Sequence, residues 1–149
     1  MAVDRGDRGP VRLLFLCVAN SARSQLAEAL AREILGTRVV AASAGSNPTR
    51  VNPRALAVLH ELGLDASTQS SKHVSAIDPS SVDVVVTLCA EEVCPAWLGS
   101  AHRLHWPIPD PATNEPLEEA EHMRRFRAAR DEIAARLRAF DLRIHEGGG

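Results

Sequence analysis

Apolar positions along this chain come in short bursts that alternate with stretches of helical spacing. Residues 11–16 form a run rich in Leu and Phe that predicts a buried strand ending at Cys17. From Ser24 the period changes: Leu26, Leu30 and Ile34 recur at helical spacing with alanines between them, and Gly36 supplies the stop that a left-handed terminal residue favours. A second strand is expected over residues 38–42. A second helix is expected to begin where Asn52 caps and Pro53 fills the first turn, and to end at Gly63 with Leu56, Leu59 and Leu62 as its buried stripe. Asp78 and Pro79 repeat the cap signal for one short turn. Val82, Val84, Val85, Val86 and Leu88 then read as a central parallel strand, buried on both faces. Residues 102–106 suggest an edge strand, residues 107–116 a Pro-rich loop, and residues 117–140 a long helix burying Met123, Phe126, Ile133, Leu137 and Phe140.

This alternation implies a doubly wound α/β domain over residues 11–142, with a flexible leader at 1–10 and a flexible tail at 143–149. In such folds the ligand site lies beyond the carboxyl ends of the strands, where both Cys17 and Cys89 fall. The length of 149 residues suits one hydrophobic core, and with no Tyr that core has to be mainly aliphatic. A net charge of −2 provides no basic field for nucleic acid, so an anion needs a local site. No apolar run is long enough to span a bilayer, and the leader lacks the apolar region of a signal peptide, so no membrane association and a cytoplasmic location are expected. There the three cysteines read as thiols rather than a disulfide framework.

Cys17-Val18-Ala19-Asn20-Ser21-Ala22-Arg23-Ser24 places Cys and Arg around a five-residue loop between strand and helix. Successive backbone N–H groups of such a loop, with the helix N-terminus, form an anion cradle. Arg23 adds a planar fork of donors matching two oxygens of a tetrahedral oxyanion, and its charge favours a thiolate at Cys17. Cys17 is thus the candidate nucleophile, although a free Cys at a strand end is also commonly a small buried hydrophobe. The Ser24 hydroxyl either donates to that thiolate or caps the helix. Asp110, beside Pro111, is by itself only a turn signal. The six histidines are scattered without metal-ligand spacing and suit surface or helix-face positions, and Arg124, Arg125, Arg127 and Arg130 suit a solvated helix face.

The segment LLFLCVANSARSQLAEAL resembles the phosphate-binding loop and first helix of the low-molecular-weight tyrosine phosphatases and the arsenate reductases derived from them. The resemblance continues through Ser43-Ala44-Gly45, residues 60–64, residues 84–89, Trp106, Asp110-Pro111 and residues 130–133. It implies a single α/β domain with a four-stranded parallel sheet flanked by helices, and it implies that Asp110 is a general acid. Within the family, Cys89 and Cys94 point to a reductase, which must dispose of two oxidising equivalents, whereas a phosphatase needs one nucleophilic Cys. In the reductases that it resembles, Cys17 attacks arsenate, Cys89 resolves the adduct with release of arsenite, and Cys94 moves the disulfide to a Cys89 and Cys94 pair. The resemblance also implies an external thiol reductant, thioredoxin or a glutaredoxin-type protein, no tightly bound cofactor, and a monomer.

Some of these reductases hold a monovalent cation, such as potassium, where this chain has Asn20, Glu28 and Ser43; the other reading of the three is a loop hydrogen-bond network with a solvated Glu. Two Cys at the spacing of Cys89 and Cys94, without a second pair or a close His, make zinc the lesser reading, and no transition metal is expected. Two rivals stand beside arsenate reduction: a phosphatase working through a cysteinyl-phosphate, and a non-catalytic oxyanion-binding or redox-sensing module.

Overall fold

The computed structural model describes residues 9–90 and 99–140. The expected leader except for its last two residues, the expected tail, and Cys94 lie outside the described residues. The elements in chain order are β1 (Val11–Cys17), α1 (Arg23–Leu35), β2 (Val39–Gly45), α2 (Pro53–His60), β3 (Val84–Thr87), β4 (His102–His105) and α3 (Glu119–Ala139). Single 3-10 turns occupy Gly36–Arg38, Val74–Ala76 and Pro79–Ser81.

The strands form one four-stranded sheet in the order β2-β1-β3-β4, and each adjacent pair is parallel. β1 and β3 are therefore interior strands, which explains their near-continuous apolar sequence. β4 lies at the edge, and its His102, Arg103 and His105 are exposed.

Alternate side chains of the interior strands leave the sheet on opposite sides. Leu13, Phe15, Val84 and Val86 join the larger core with residues of α1, α2 and α3, including Leu26, Leu30, Leu59, Phe126, Ile133 and Leu137. Leu14, Leu16, Ala44 and Val85 form a smaller cluster, covered by Val74, Ile77 and Val82. The three helices thus crowd one face, and among the described residues the segment carrying the short 3-10 turns covers the other.

The helix ends follow local chemistry. Asn52 caps α2 by accepting from the N–H of Arg54, with Pro53 in the first turn, and Gly36 closes α1 at φ 59°. α2 ends three residues before Gly63, however, and Leu62 is 49% exposed. The chain closes with Gly63 at φ 78° and Leu64 N–H bonded to Leu59 O at 3.1 Å, so Leu64 turns back against the core in place of Leu62. The buried stripe of α2 is Ala55, Val58 and Leu59.

Arg130 also departs from the solvated face expected for it. It is 8% exposed and donates to Val58 O at 2.9 Å, to Glu61 at 2.8 Å and to Asp131 at 2.8 Å, tying α3 to the end of α2. His122 is buried on the same helix.

Candidate active site

β1 delivers Cys17 to the carboxyl edge of the sheet, opposite Gly45 of β2 in the strand register. The loop that follows is pinned from outside. Val18 O accepts from Asn47 N–H, Ala19 O from Thr49 N–H and the Ser71 hydroxyl, Asn20 O from the Gln25 side chain, and Ser21 O from Asn52 N–H. With its acceptors turned outward in this way, the loop has the arrangement an anion cradle requires. Asn20 sits at φ 47°, a left-handed conformation that Asn tolerates better than most residues and that bends successive N–H groups toward one point.

The hydrogen bonds that reach Asn20 behind Cys17 have a definite direction. The backbone N–H of Lys72 can only donate, so the atom it meets at 2.8 Å is the side-chain oxygen of Asn20. The Asn20 amide nitrogen therefore faces Ser24 and donates to its hydroxyl oxygen at 2.7 Å. The Ser24 hydroxyl lies 2.9 Å from the Cys17 sulfur, and it is the donor once Cys17 is a thiolate, which can only accept. Ser24 is accordingly a partner of the thiol; the N-cap of α1 is Ala22, and no side chain caps it.

Arg23 is nearly enclosed at 4% exposure, and it donates to Ile108 O at 3.0 Å and to Leu88 O at 3.4 Å. These bonds fasten the first residue of α1 to the end of β3 and to the loop after β4. Its other terminal nitrogen lies 3.7 Å from Asp110, whose side chain is half exposed and accepts from Ala112 N–H at 3.0 Å. Arg23 and Asp110 thus meet, and Cys17 is hydrogen-bonded to Ser24, the residue next to Arg23. Asp110 also lines a cavity of about 560 Å³ with Ile108, Pro111, Arg124, Arg125 and Glu132.

Cys89 is buried two residues beyond β3, and Leu88 N–H still bonds to Leu16 O at 2.9 Å. Cys17 and Cys89 therefore stand at the same edge of neighbouring strands. Cys17 is a free thiol. Among the described residues no cluster of His, Cys, Asp or Glu could hold a metal ion.

Comparison with known proteins adds the lineage. The profile of the low molecular weight phosphotyrosine protein phosphatases matches residues 12–147. The chain belongs to this family. Over 130 residues it is 41% identical to an arsenate reductase of Halalkalibacterium halodurans, covering 86% of this chain and 93% of that one. Among solved structures, an arsenate reductase from Archaeoglobus fulgidus superposes with a TM-score of 0.72 at 29% identity, covering 85% of this chain and 96% of that one. The thioredoxin-dependent arsenate reductase of Corynebacterium glutamicum gives 0.66 at 27% identity, covering 93% of this chain and 65% of that one.

At the residues expected for a monovalent cation, Asn20, Glu28 and Ser43, the chain supplies donors of its own. Glu28 is buried rather than solvated; one carboxylate oxygen accepts from the Ser43 hydroxyl at 2.6 Å, and the other pairs with Arg32. Asn20 gives its oxygen to Lys72 N–H, and Ser43 O accepts from the Lys72 ammonium at 2.9 Å. Each of the three residues thus gives at least one acceptor to the protein's own donors.

Residues that the sequence pattern left without a role complete the loop's support. Gln25 donates to Asn20 O and Ser70 O at 3.0 Å each, and Gln69 donates in turn to the Gln25 side chain at 2.7 Å. Lys72 had no local signal, because its partners are distant in sequence.

Proposed function

We propose that this chain is an arsenate reductase that works by a cysteine relay and is regenerated by an external dithiol. The observation that carries the reading is the pair of cysteines, Cys17 and Cys89, on adjacent strand ends, one inside a complete oxyanion loop. Phosphoryl transfer uses only the first. The relatives named arsenate reductase, one of them thioredoxin-dependent, support the same assignment.

Arsenate enters the loop with its oxygens toward the backbone N–H groups and the Arg23 fork, which neutralise its charge and orient it. The Cys17 thiolate attacks arsenic, and one oxygen leaves as water with a proton from Asp110. The Cys89 thiolate then attacks the Cys17 sulfur; the electron pair of the S–As bond passes to arsenic, arsenite departs, and a Cys17–Cys89 disulfide remains. Cys94 attacks Cys89 and expels the Cys17 thiolate, and the resulting Cys89–Cys94 disulfide is reduced by two electrons from thioredoxin or a glutaredoxin-type protein.

Through these steps Ser24 holds its hydroxyl proton against the sulfur of Cys17, favouring the thiolate both before attack and on departure. A cytoplasmic monomer belongs to this reading; among the described residues no helix is long and apolar enough to cross a membrane, and the exposed large hydrophobics are Val40 and Leu62.

Purified protein incubated with arsenate, thioredoxin, thioredoxin reductase and NADPH should form arsenite in step with NADPH loss, and Cys94→Ser should stop after the first turnover. Arsenite only with glutathione and glutaredoxin would change the donor. Brisk aryl phosphate hydrolysis that survives Cys89→Ser, with no arsenite from either system, would replace the reading with the phosphatase one, for which Asp110 beside Arg23 is already in place.

A further inference from the structure

We propose that Lys72 is the resident cation of the oxyanion loop, and that it positions the loop through Asn20 and Ser24. The ammonium is partly buried and rests between two carbonyl oxygens, Ser43 O and Ser70 O, each at 2.9 Å. That is how a monovalent cation is held: one positive charge among backbone carbonyls, here delivered on a tether. A potassium ion sharing Ser43 O would have to settle beside an ammonium of the same charge, which disfavours it. Arg32 meets the remaining carboxylate oxygen of Glu28, so that donor is engaged as well.

Lys72 also touches both walls of the site through its backbone. Its N–H sets the Asn20 amide, and its carbonyl accepts from Gly45 N–H at 3.0 Å at the end of β2. The amide then orients Ser24, whose hydroxyl lies against the Cys17 sulfur. The side chain thus fixes the position of a backbone donor on which three further groups depend. Lys72 is a positioning residue, because it acts on the thiol and the oxyanion only through others.

The inference rests on the loop being an oxyanion site, as in the proposed reductase, but its test does not require arsenate chemistry. Inorganic phosphate binding to the full chain, measured by calorimetry in potassium chloride and in choline chloride at equal ionic strength, reads it directly. Wild type should bind phosphate equally in both salts, within about twofold, and its melting temperature should not respond to the exchange. Lys72→Met should bind about fivefold or more weakly in choline chloride, and Lys72→Arg should recover most of that loss. Several-fold tighter binding by wild type in potassium would overturn the proposal, as would undiminished binding by Lys72→Met. The wild-type salt comparison needs no variant, so a misfolded Lys72→Met does not shield the idea. Phosphate results as expected in a protein that forms no arsenite would sink the reductase reading and leave Lys72 in its role.

Discussion

Behind Cys17 and along α3 the chain uses similar hydrogen bonds in two opposite settings. In the first, Asn20, Ser24, Gln25, Glu28 and Ser43 are buried, and each finds its partner inside the protein. In the second, Glu121 meets Arg124 and Arg125, and Glu132 meets Arg136, at an exposed surface. The distances hardly differ: 2.7 Å from Asn20 to Ser24 and 2.7 Å from Arg124 to Glu121. What differs is the alternative available when a bond breaks. Water replaces a lost partner on the surface, whereas a group stranded behind Cys17 keeps its desolvation penalty. Short contacts alone therefore do not identify the residues that matter; burial does.

Removing the space around the buried network should have the largest effect. A Cβ built on Gly45 would lie 2.8 Å from Cys17 O and 2.9 Å from Asn20 N, and closer still to Val18 O, all backbone atoms that cannot swing aside. Gly45→Ala should cost about 3 kcal/mol by overpacking and lower the melting temperature by roughly 10 °C, with loss of oxyanion binding. A variant that melts and binds like wild type would show that β2 yields and that the loop is not braced against it.

Next in size is Asn20→Gly, chosen because glycine accepts φ 47° without strain and so isolates the lost amide. With the Ser24 hydroxyl no longer oriented, the first arsenite-forming turnover should slow by about tenfold, and the melting temperature should fall by less than for Gly45→Ala, because the Lys72 N–H and the Ser24 hydroxyl each lose a partner. Asn20→Gly with wild-type turnover would leave Ser24 oriented by something else.

How much of this was readable beforehand depends on sequence distance. β1, α1 and the loop between them are encoded by neighbours, so the apolar run, the helical spacing and the Cys-to-Arg interval put Cys17 at a strand end and Arg23 at a helix start, where they stand. Asp110 needed the family resemblance, because Asp-Pro is a turn signal in any protein. The reason for Gly45 and the role of Lys72 were illegible: their partners lie 28 and 52 residues away, brought close by strand register and a long crossover. Arg130 was misread although the pattern held the clue, since it lies on the stripe of Phe126, Ile133 and Leu137 that the helical period places inward. Cys94, given the final step in the proposed relay, lies outside the described residues.

The smallest expected effect separates two carboxylates of the exposed setting. Arg127, then Arg130, hold Glu61 at about 2, below its ordinary 4.5, while Arg124, then Arg125, hold Glu121 at about 2. A carboxylate with a depressed native pKa contributes stability that is complete above its unfolded value and is lost as pH falls through the native one. Both contributions should therefore fade between about pH 4.5 and 2. Glu61 joins the end of α2 to α3, so its partners exist only in the folded chain. Glu121 lies three and four residues from its arginines on one helix, where residual helix in the unfolded chain keeps part of the interaction. The gap in melting temperature between wild type and Glu61→Gln should consequently be the wider at neutral pH and should close on acidification, while Glu121→Gln should stay nearly level with wild type throughout. Equal gaps, or a Glu61→Gln gap independent of pH, would mean that surface pairing across elements is worth no more here than pairing within a helix.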